Sequence, residues 1–240
     1  MKNRTLLLLL FISIASFSQE ITGDELLEKA IQFHDPNGNW KTFEGALFVT
    51  MVTPENNNRK SEIKINLPEQ YFSVKALSNS ISAEYTLRKE VCTVALNGNS
   101  NLSEALKKKH NLNCDRAKMY KNYYTYLYGL PMKLKDKGTI IDQKVVKKTF
   151  KSKEYLVLKA TYTKEVGKDT WYFYFDPKTY EMEVYQFFKE AKDSGEYILL
   201  SGLETINGIQ MPKNRAWYYN KDNGYLGTDI LTSKNDYNLN

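Results

Sequence analysis

The 240 residues include only two histidines, His34 and His110, and two cysteines, Cys92 and Cys114. Neither histidine belongs to an HxxxH, HExxH or H-x-H pattern, so no zinc site of recognised spacing is present. There is no CxxC, which removes a thioredoxin-type redox site. No serine sits in a GxSxG context, and no GxGxxG or P-loop glycine pattern exists; the nucleophile elbow and the nucleotide cradle are both missing. The six prolines mark no linker, and no internal repeat or low-complexity tract interrupts the chain. Beyond the N-terminus no apolar run is long enough to cross about 30 Å of hydrocarbon, which excludes a multi-span helical membrane protein. Positive charge exceeds negative by only +6, short of the concentrated field that nucleic-acid binding needs. The expectation is a protein without metal, cofactor or nucleic-acid partner.

What is present begins with an address. Met1–Ser18 carries Lys2 and Arg4, an apolar stretch Leu6–Ile14, and the small-x-small run Ser16-Phe17-Ser18. This is the layout of a cleaved export signal ending near Ser18, and an N-terminal anchor helix is the alternative. No cysteine stands near the cut to carry an acyl chain, so the product is a soluble periplasmic or secreted protein and not a lipoprotein. Removing Lys2 and Arg4 leaves a charge of +4. Residues 19–240 fit one domain, which is expected to be monomeric. Outside the cytoplasm Cys92 and Cys114 are expected to close a disulfide. Across 22 positions such a bridge contributes about 3 kcal/mol by loop entropy. A free thiol or metal ligand is the other reading.

Turn dipeptides punctuate the rest: Asn37-Gly38, Asn97-Gly98, Asn207-Gly208 and Asp176-Pro177, each suited to positive φ or to starting a type I turn. Ile21–Phe33 has helical spacing behind a capping box, Thr22-x-x-Glu25. From Trp40 the period becomes two, and strand-like runs follow at Ser61–Leu67, Gln70–Leu77, Ala83–Arg88 and Val91–Leu96. Leu102–His110 and Ala117–Leu127 read as helices. On the second, Tyr120, Tyr123, Tyr124 and Leu127 share a broad face. Strand patterning returns at Thr139–Phe150, Glu154–Thr163, Thr170–Phe175, Glu181–Phe188, Glu196–Ile206, Ile209–Tyr219 and Thr228–Thr232. The fold class is therefore α+β: one large curved antiparallel sheet of ten to twelve strands with a few covering helices, because a sheet this wide must curl or close.

The chain holds 18 Tyr and 11 Phe, densest at Trp171-Tyr172-Phe173-Tyr174-Phe175. Alternation puts Trp171, Phe173 and Phe175 on one face and both tyrosines on the other. Met182, Val184 and Phe188 then continue one face, Tyr185 and Phe187 the other. A sheet with one wet side would show polar residues in one of these rows. Either the second face is packed by loops and by the curl, or it lines a cavity; tyrosine suits such a wall, since it offers apolar area and a hydroxyl.

The runs TWYFYFDPKTYEMEVYQFF, GEYILLSGLETINGIQMPKNRAWYY and GTDIL resemble the LolA/LolB-like lipoprotein-carrier superfamily over about residues 165–232, with the Asp-Pro turn at Asp176-Pro177 and the late hairpin marked by Gly208 and Pro212. Cys114–Thr139 also resembles a narrower family of secreted bacterial proteins of unknown function. The superfamily resemblance implies an incomplete β-barrel lidded by helices that carries acyl chains or other lipophilic molecules. The Cys92/Cys114 pair and the tyrosine-rich helix depart from it.

The resulting expectation is a non-enzymatic carrier holding a lipophilic small molecule or acyl chain. Leu47, Val49, Phe173, Phe175 and Val184 are placed on the cavity wall, with Tyr123 and Tyr124 on a covering helix, and with transient contact to an envelope membrane or a lipoprotein. Two alternatives stand beside it. One is an envelope interaction module whose core is filled. The other is a periplasmic hydrolase using His34 beside Asp35, or a carboxylate pair such as Asp136 and Asp142. Lys107-Lys108-Lys109 reads as a solvated face or an anion contact.

Overall fold

The computed structural model of the chain describes residues 20–55, 58–189 and 194–232; the export signal expected over 1–18 lies outside them. The elements in chain order are α1 (Gly23–His34), β1 (Glu44–Val52), β2 (Arg59–Asn66), β3 (Tyr71–Ser78), β4 (Ile81–Arg88), β5 (Val91–Leu96), α2 (Glu104–Lys109), α3 (Cys114–Gly129), β6 (Thr139–Ile141), β7 (Val146–Phe150), β8 (Lys153–Tyr162), β9 (Thr170–Phe175), β10 (Met182–Phe188), β11 (Glu196–Ile206), β12 (Ile209–Tyr219) and β13 (Tyr225–Thr232). The strands form one 13-stranded sheet in the order β5-β4-β3-β2-β1-β13-β12-β11-β10-β9-β8-β6, with β7 also on β8. Every pairing is antiparallel.

This order explains why α3 covers the sheet. The first and last strands pair at its centre, with Val49 opposite Leu231. That leaves β5 and β6, neighbours in sequence, at the two outer edges. The segment joining them has to cross one face of a wide curved sheet, and α3 is the crossing piece.

Alternation sets which side faces α3. Ile63 and Ile65 of β2, Phe72 and Val74 of β3, and Tyr85 and Leu87 of β4 are buried in the main core, while Lys64 and Lys75 point outward. Asn207 and Gly208 have φ of 50° and 79°, the positive pair of a two-residue I′ turn that fits the twist of β11 and β12. α1 starts on the anticipated capping box. The Thr22 hydroxyl accepts from the Glu25 amide at 3.3 Å, and the Glu25 carboxylate accepts from the Thr22 amide at 2.8 Å. Thr22→Ala is expected to cost about 1 kcal/mol, read as a fall in the denaturant midpoint with unchanged slope. Cys92 and Cys114 are joined, with Cα atoms 5.9 Å apart. The disulfide tethers edge strand β5 to the first residue of α3 and fits an oxidising compartment.

Two expectations are corrected. The single strand anticipated over Thr139–Phe150 is two, β6 and β7. Between them the Gln143 carbonyl accepts from the Gly23 amide at 3.0 Å and the Asp142 carboxylate accepts from the Lys144 amide. The chain leaves the sheet there to hold the start of α1, so closely that a Cβ on Gly23 would stand 2.2 Å from the Asp142 carbonyl oxygen. In β10 the register shifts between Met182 and Val184. The bulge puts Met182 in the core with Tyr185 and Phe187, whereas Val184 joins Tyr155, Val157 and Tyr174 on the opposite face. Val184 is thus removed from the wall on which Phe173 lies, because a bulge inverts the alternation beyond it. The outer face of the aromatic strands, for which packing and a cavity were both open, is packed by side chains. Phe150 lies against Tyr174 and Tyr197, with ring centroids 5.2 and 5.4 Å apart. Lys153 ties Asp176 at 2.9 Å to Glu183 at 2.6 Å.

Candidate functional site: a cleft beside the crossing helix

α3 begins on Asn113, whose side chain accepts from the Arg116 amide at 2.8 Å. Its sixteen residues present two aromatic rows. Tyr120, Tyr124, Leu127 and Tyr128 are buried toward the sheet; Tyr120 packs on Tyr85 at 5.3 Å and Tyr124 on Phe72 at 6.5 Å. The helix ends on Gly129, where the Trp40 ring approaches so near that a Cβ would stand 2.3 Å from it. The second row, Tyr123 and Tyr126, faces β8–β12. Tyr123 stacks on Trp217 at 6.0 Å and donates to the Asp229 carboxylate at 2.8 Å. Tyr126 meets Trp171 edge-on at 5.3 Å, and its hydroxyl bonds that of Tyr162.

Between this side of α3 and the strands lies a cleft of about 990 Å³, the size of a small-molecule site. Its floor is Trp171, Phe187 and Trp217, with Trp171 and Phe187 stacked at 4.8 Å. Its rim carries Lys133, Lys137, Lys168 and Lys189 against Asp136, Asp169 and Glu196. Burial holds the Tyr126 phenol well above its ordinary range and pushes Tyr162 up to about 12, so both stay uncharged at neutral pH and offer hydroxyls. Burial also raises the Glu196 carboxyl, with Lys189 opposing. The surface is apolar below and polar at the mouth, suited to holding an amphipathic molecule by burial of its apolar part.

Behind Tyr123 and Trp217 lies a buried polar cluster. Asp229 and Arg215 are both buried and sit opposite each other on β13 and β12. The Arg215 guanidinium lies 3.8 Å over the Tyr128 ring and donates to the Pro212 carbonyl at 2.8 Å. Arg59 approaches from β2, its guanidinium 5.8 Å over Tyr120. Burial raises the Asp229 carboxyl, and the Tyr123 hydroxyl, Arg59 and Arg215 only partly offset it.

Of the seven residues anticipated for the wall, Tyr123 lines this cleft. Leu47, Val49, Phe173, Phe175 and Tyr124 are at most 1% exposed and pack on one another's neighbours in the core. Sequence reasoning passed over Trp171, Phe187, Trp217, Tyr126 and Tyr162, although the first three continue inward-facing rows and so carried a signal. The histidine–carboxylate pairing does not form. The ring of His34 is fully buried, with Nδ1 2.7 Å from the Gln210 carbonyl and Nε2 accepting from the Met182 amide at 3.0 Å. A carbonyl only accepts and an amide only donates, so the Nδ1–H tautomer is required and no nitrogen is left for catalysis. His110 caps the end of α2. Asp136 pairs with Lys133 at the rim, whereas Asp142 lies 3.9 Å from Lys159. Lys107 pairs with Glu104 on the exposed α2.

The model of a family described as "Family of unknown function (DUF6503)" matches residues 2–234. No curated protein matches the chain. Among solved structures, a LolA superfamily protein from Nitrosomonas europaea is similar with a TM-score of 0.53 at 11% identity, covering 89% of this chain and 92% of that one. A domain described as an outer membrane lipoprotein-sorting protein from Vibrio parahaemolyticus is similar at a TM-score of 0.50 and 9% identity, covering 90% and 94%. A DUF1329 family protein from Desulfovibrio piger has a TM-score of 0.48 at 8% identity, covering 89% and 92%. The fold is LolA-like: a wide curved antiparallel sheet with covering helices.

Proposed function

Because the chain belongs to the family of unknown function DUF6503, whose description brings no activity with it, we propose its function from the cleft: the protein is an exported, non-enzymatic carrier of an amphipathic molecule bearing an acyl chain. The observation that carries this reading is the aromatic floor of Trp171, Phe187 and Trp217 beneath α3, in a cleft of about 990 Å³. Each buried methylene contributes about 0.8 kcal/mol, so a chain of about ten carbons laid on that floor supplies useful affinity after association costs. The LolA-like fold and the closed Cys92–Cys114 disulfide support carriage outside the cytoplasm.

Native mass spectrometry of protein purified from its own periplasm tests the reading. A co-purifying lipid, or stoichiometric uptake of added fatty acid that falls about tenfold in Trp171→Ala, is the expected result; protein that stays empty and takes up neither fatty acids nor lipopeptides sinks it. A second reading has its own support. Leu47, Val49, Phe173 and Phe175 fill the concave face near β1 and β9, as a module acting through its surface would require. Persistent emptiness would favour that module.

A further inference from the structure

Five buried side-chain atoms are poorly paired: Nε of Arg59, Nε of Arg215 and the Tyr128 hydroxyl have no hydrogen-bond partner among the described residues, and the hydroxyls of Tyr124 and Tyr185 lie beside Ser61 and Arg215 without a well-formed bond. All five belong to the polar cluster behind the cleft. Buried polar groups are nearly always paired, and a concentration of unpaired ones points to something that belongs between them. An arginine Nε–H can only donate, whereas a tyrosine hydroxyl serves as donor or acceptor; the partner missing from Arg59 and Arg215 is therefore an acceptor, and the hydroxyls are able to donate to it as well. The fixed charges agree, since two guanidiniums, Arg59 and Arg215, face one carboxylate, Asp229. This buried cluster, called the chamber below, favours an anion with several oxygens over a neutral group.

Its position connects it to the cleft. Tyr123 and Trp217 line the cleft, and the Tyr123 hydroxyl holds Asp229 from the other side. Tyr185 lies against both floor tryptophans, 6.1 Å from Trp171 and 6.4 Å from Trp217. The cleft floor and the chamber thus share a wall. We propose that this cluster, reached from the cleft when Tyr123 and Trp217 move aside, receives the anionic head, a carboxylate or phosphate, of the molecule whose chain lies on Trp171 and Phe187, with Arg215 and Arg59 as its ligands. This rests on the carrier reading and adds to it the class of ligand: fatty acids and phosphate-headed amphiphiles over neutral lipids. The lysines at the rim are the competing place for the head, and ordered water is the competing occupant of the chamber.

The quenching of Trp171 and Trp217 fluorescence reports binding. Decanoate, decyl phosphate and decan-1-ol share one chain and differ in the head; acetate and inorganic phosphate supply the head without the chain. The expected result is that decanoate or decyl phosphate binds the native protein at least tenfold more tightly than decan-1-ol. That ratio falls to about one in Arg215→Gln and in Arg59→Gln. Tyr128→Phe keeps the ring and removes only an unpaired hydroxyl, so it keeps the fold while weakening decanoate binding about threefold or more; it decides the matter should an arginine variant fail to fold. Equal affinity of the three amphiphiles, as a chamber holding only water requires, overturns the proposal and leaves the carrier reading standing. So does a preference that survives the chamber variants and vanishes in Lys133→Gln/Lys137→Gln/Lys189→Gln. Inorganic phosphate binding as tightly as decyl phosphate shows a free anion as the occupant and also overturns it. Binding of none of the amphiphiles overturns both.

Discussion

Asp229→Leu lowers the folding free energy by about 3–5 kcal/mol, the expected cost of leaving a buried charge without its counter-charge. Asp229 is 3% exposed and Arg215 is 1% exposed; they pair across β13 and β12, with Arg59 the second cation near the carboxylate. Leucine fills the space of the carboxylate but strands two guanidiniums and the Tyr123 hydroxyl, which loses its 2.8 Å acceptor. The measurement is denaturant unfolding of the wild type, Asp229→Leu, Arg215→Met and the double variant. Because the two groups share one cluster, the double variant is expected to lose less than the sum of the singles. Additive losses, or a single Asp229→Leu loss below about 1 kcal/mol, would show that the carboxylate is not the counter-charge of this interior.

The second large effect is acid sensitivity through one ring. Burial lowers the pKa of His34 from 6.5 to about 4, the Arg215 charge adding to the shift and the Gln210 carbonyl opposing it. The unfolded chain therefore binds a proton between pH 6.5 and about 4 that the folded chain refuses. Stability from His34 is fully present above pH 6.5 and is lost as pH falls toward 4, at about 1.4 kcal/mol per pH unit or about 3 kcal/mol in all. Protonation puts a hydrogen on Nε2, where the Met182 amide already points its own. Asp229, Glu181 and Glu196, whose carboxyls burial raises, act with the opposite sign, so the comparison needs His34→Leu as its reference. At pH 7 that variant is expected to lie about 2–4 kcal/mol below the wild type, since the Gln210 carbonyl and Met182 amide are left buried and unpaired. The gap closes as pH approaches 4. A gap that stays constant across this range would refute the assignment of the acid transition to His34.

The candidate site is partly legible in the sequence. Trp171 and Phe187 were visible in runs too aromatic for a sheet with one wet face. The charges inside the half-barrel leave a weaker signal in the sequence. Arg215 stands in the row Ile209, Met211, Trp217, and Asp229 stands between Gly227 and Leu231, each interrupting an inward apolar period. One charge in an apolar row is ambiguous alone; it acquires meaning when the partner strand places its opposite beside it.

Local chemistry was enough for the elements themselves. Thr22 and Glu25 announce the start of α1, Asn207-Gly208 a two-residue turn, alternation the strands, and a lone cysteine pair behind an expected export signal its disulfide, because each depends on neighbours a few residues away or on the compartment expected. Which rows meet which was settled by contacts across the whole chain. The bulge after Met182 turns Val184 outward. The pairing of β1 with β13 sends β5 and β6 to opposite edges and so draws α3 across the face. Arg59, Arg215 and Asp229 come together from three strands. Period-two patterning is blind to a one-residue slip and to strand order, and both are fixed by the packing of distant segments against one another; that packing filled the hollow near Leu47 and Phe173 and left it open beside Trp171.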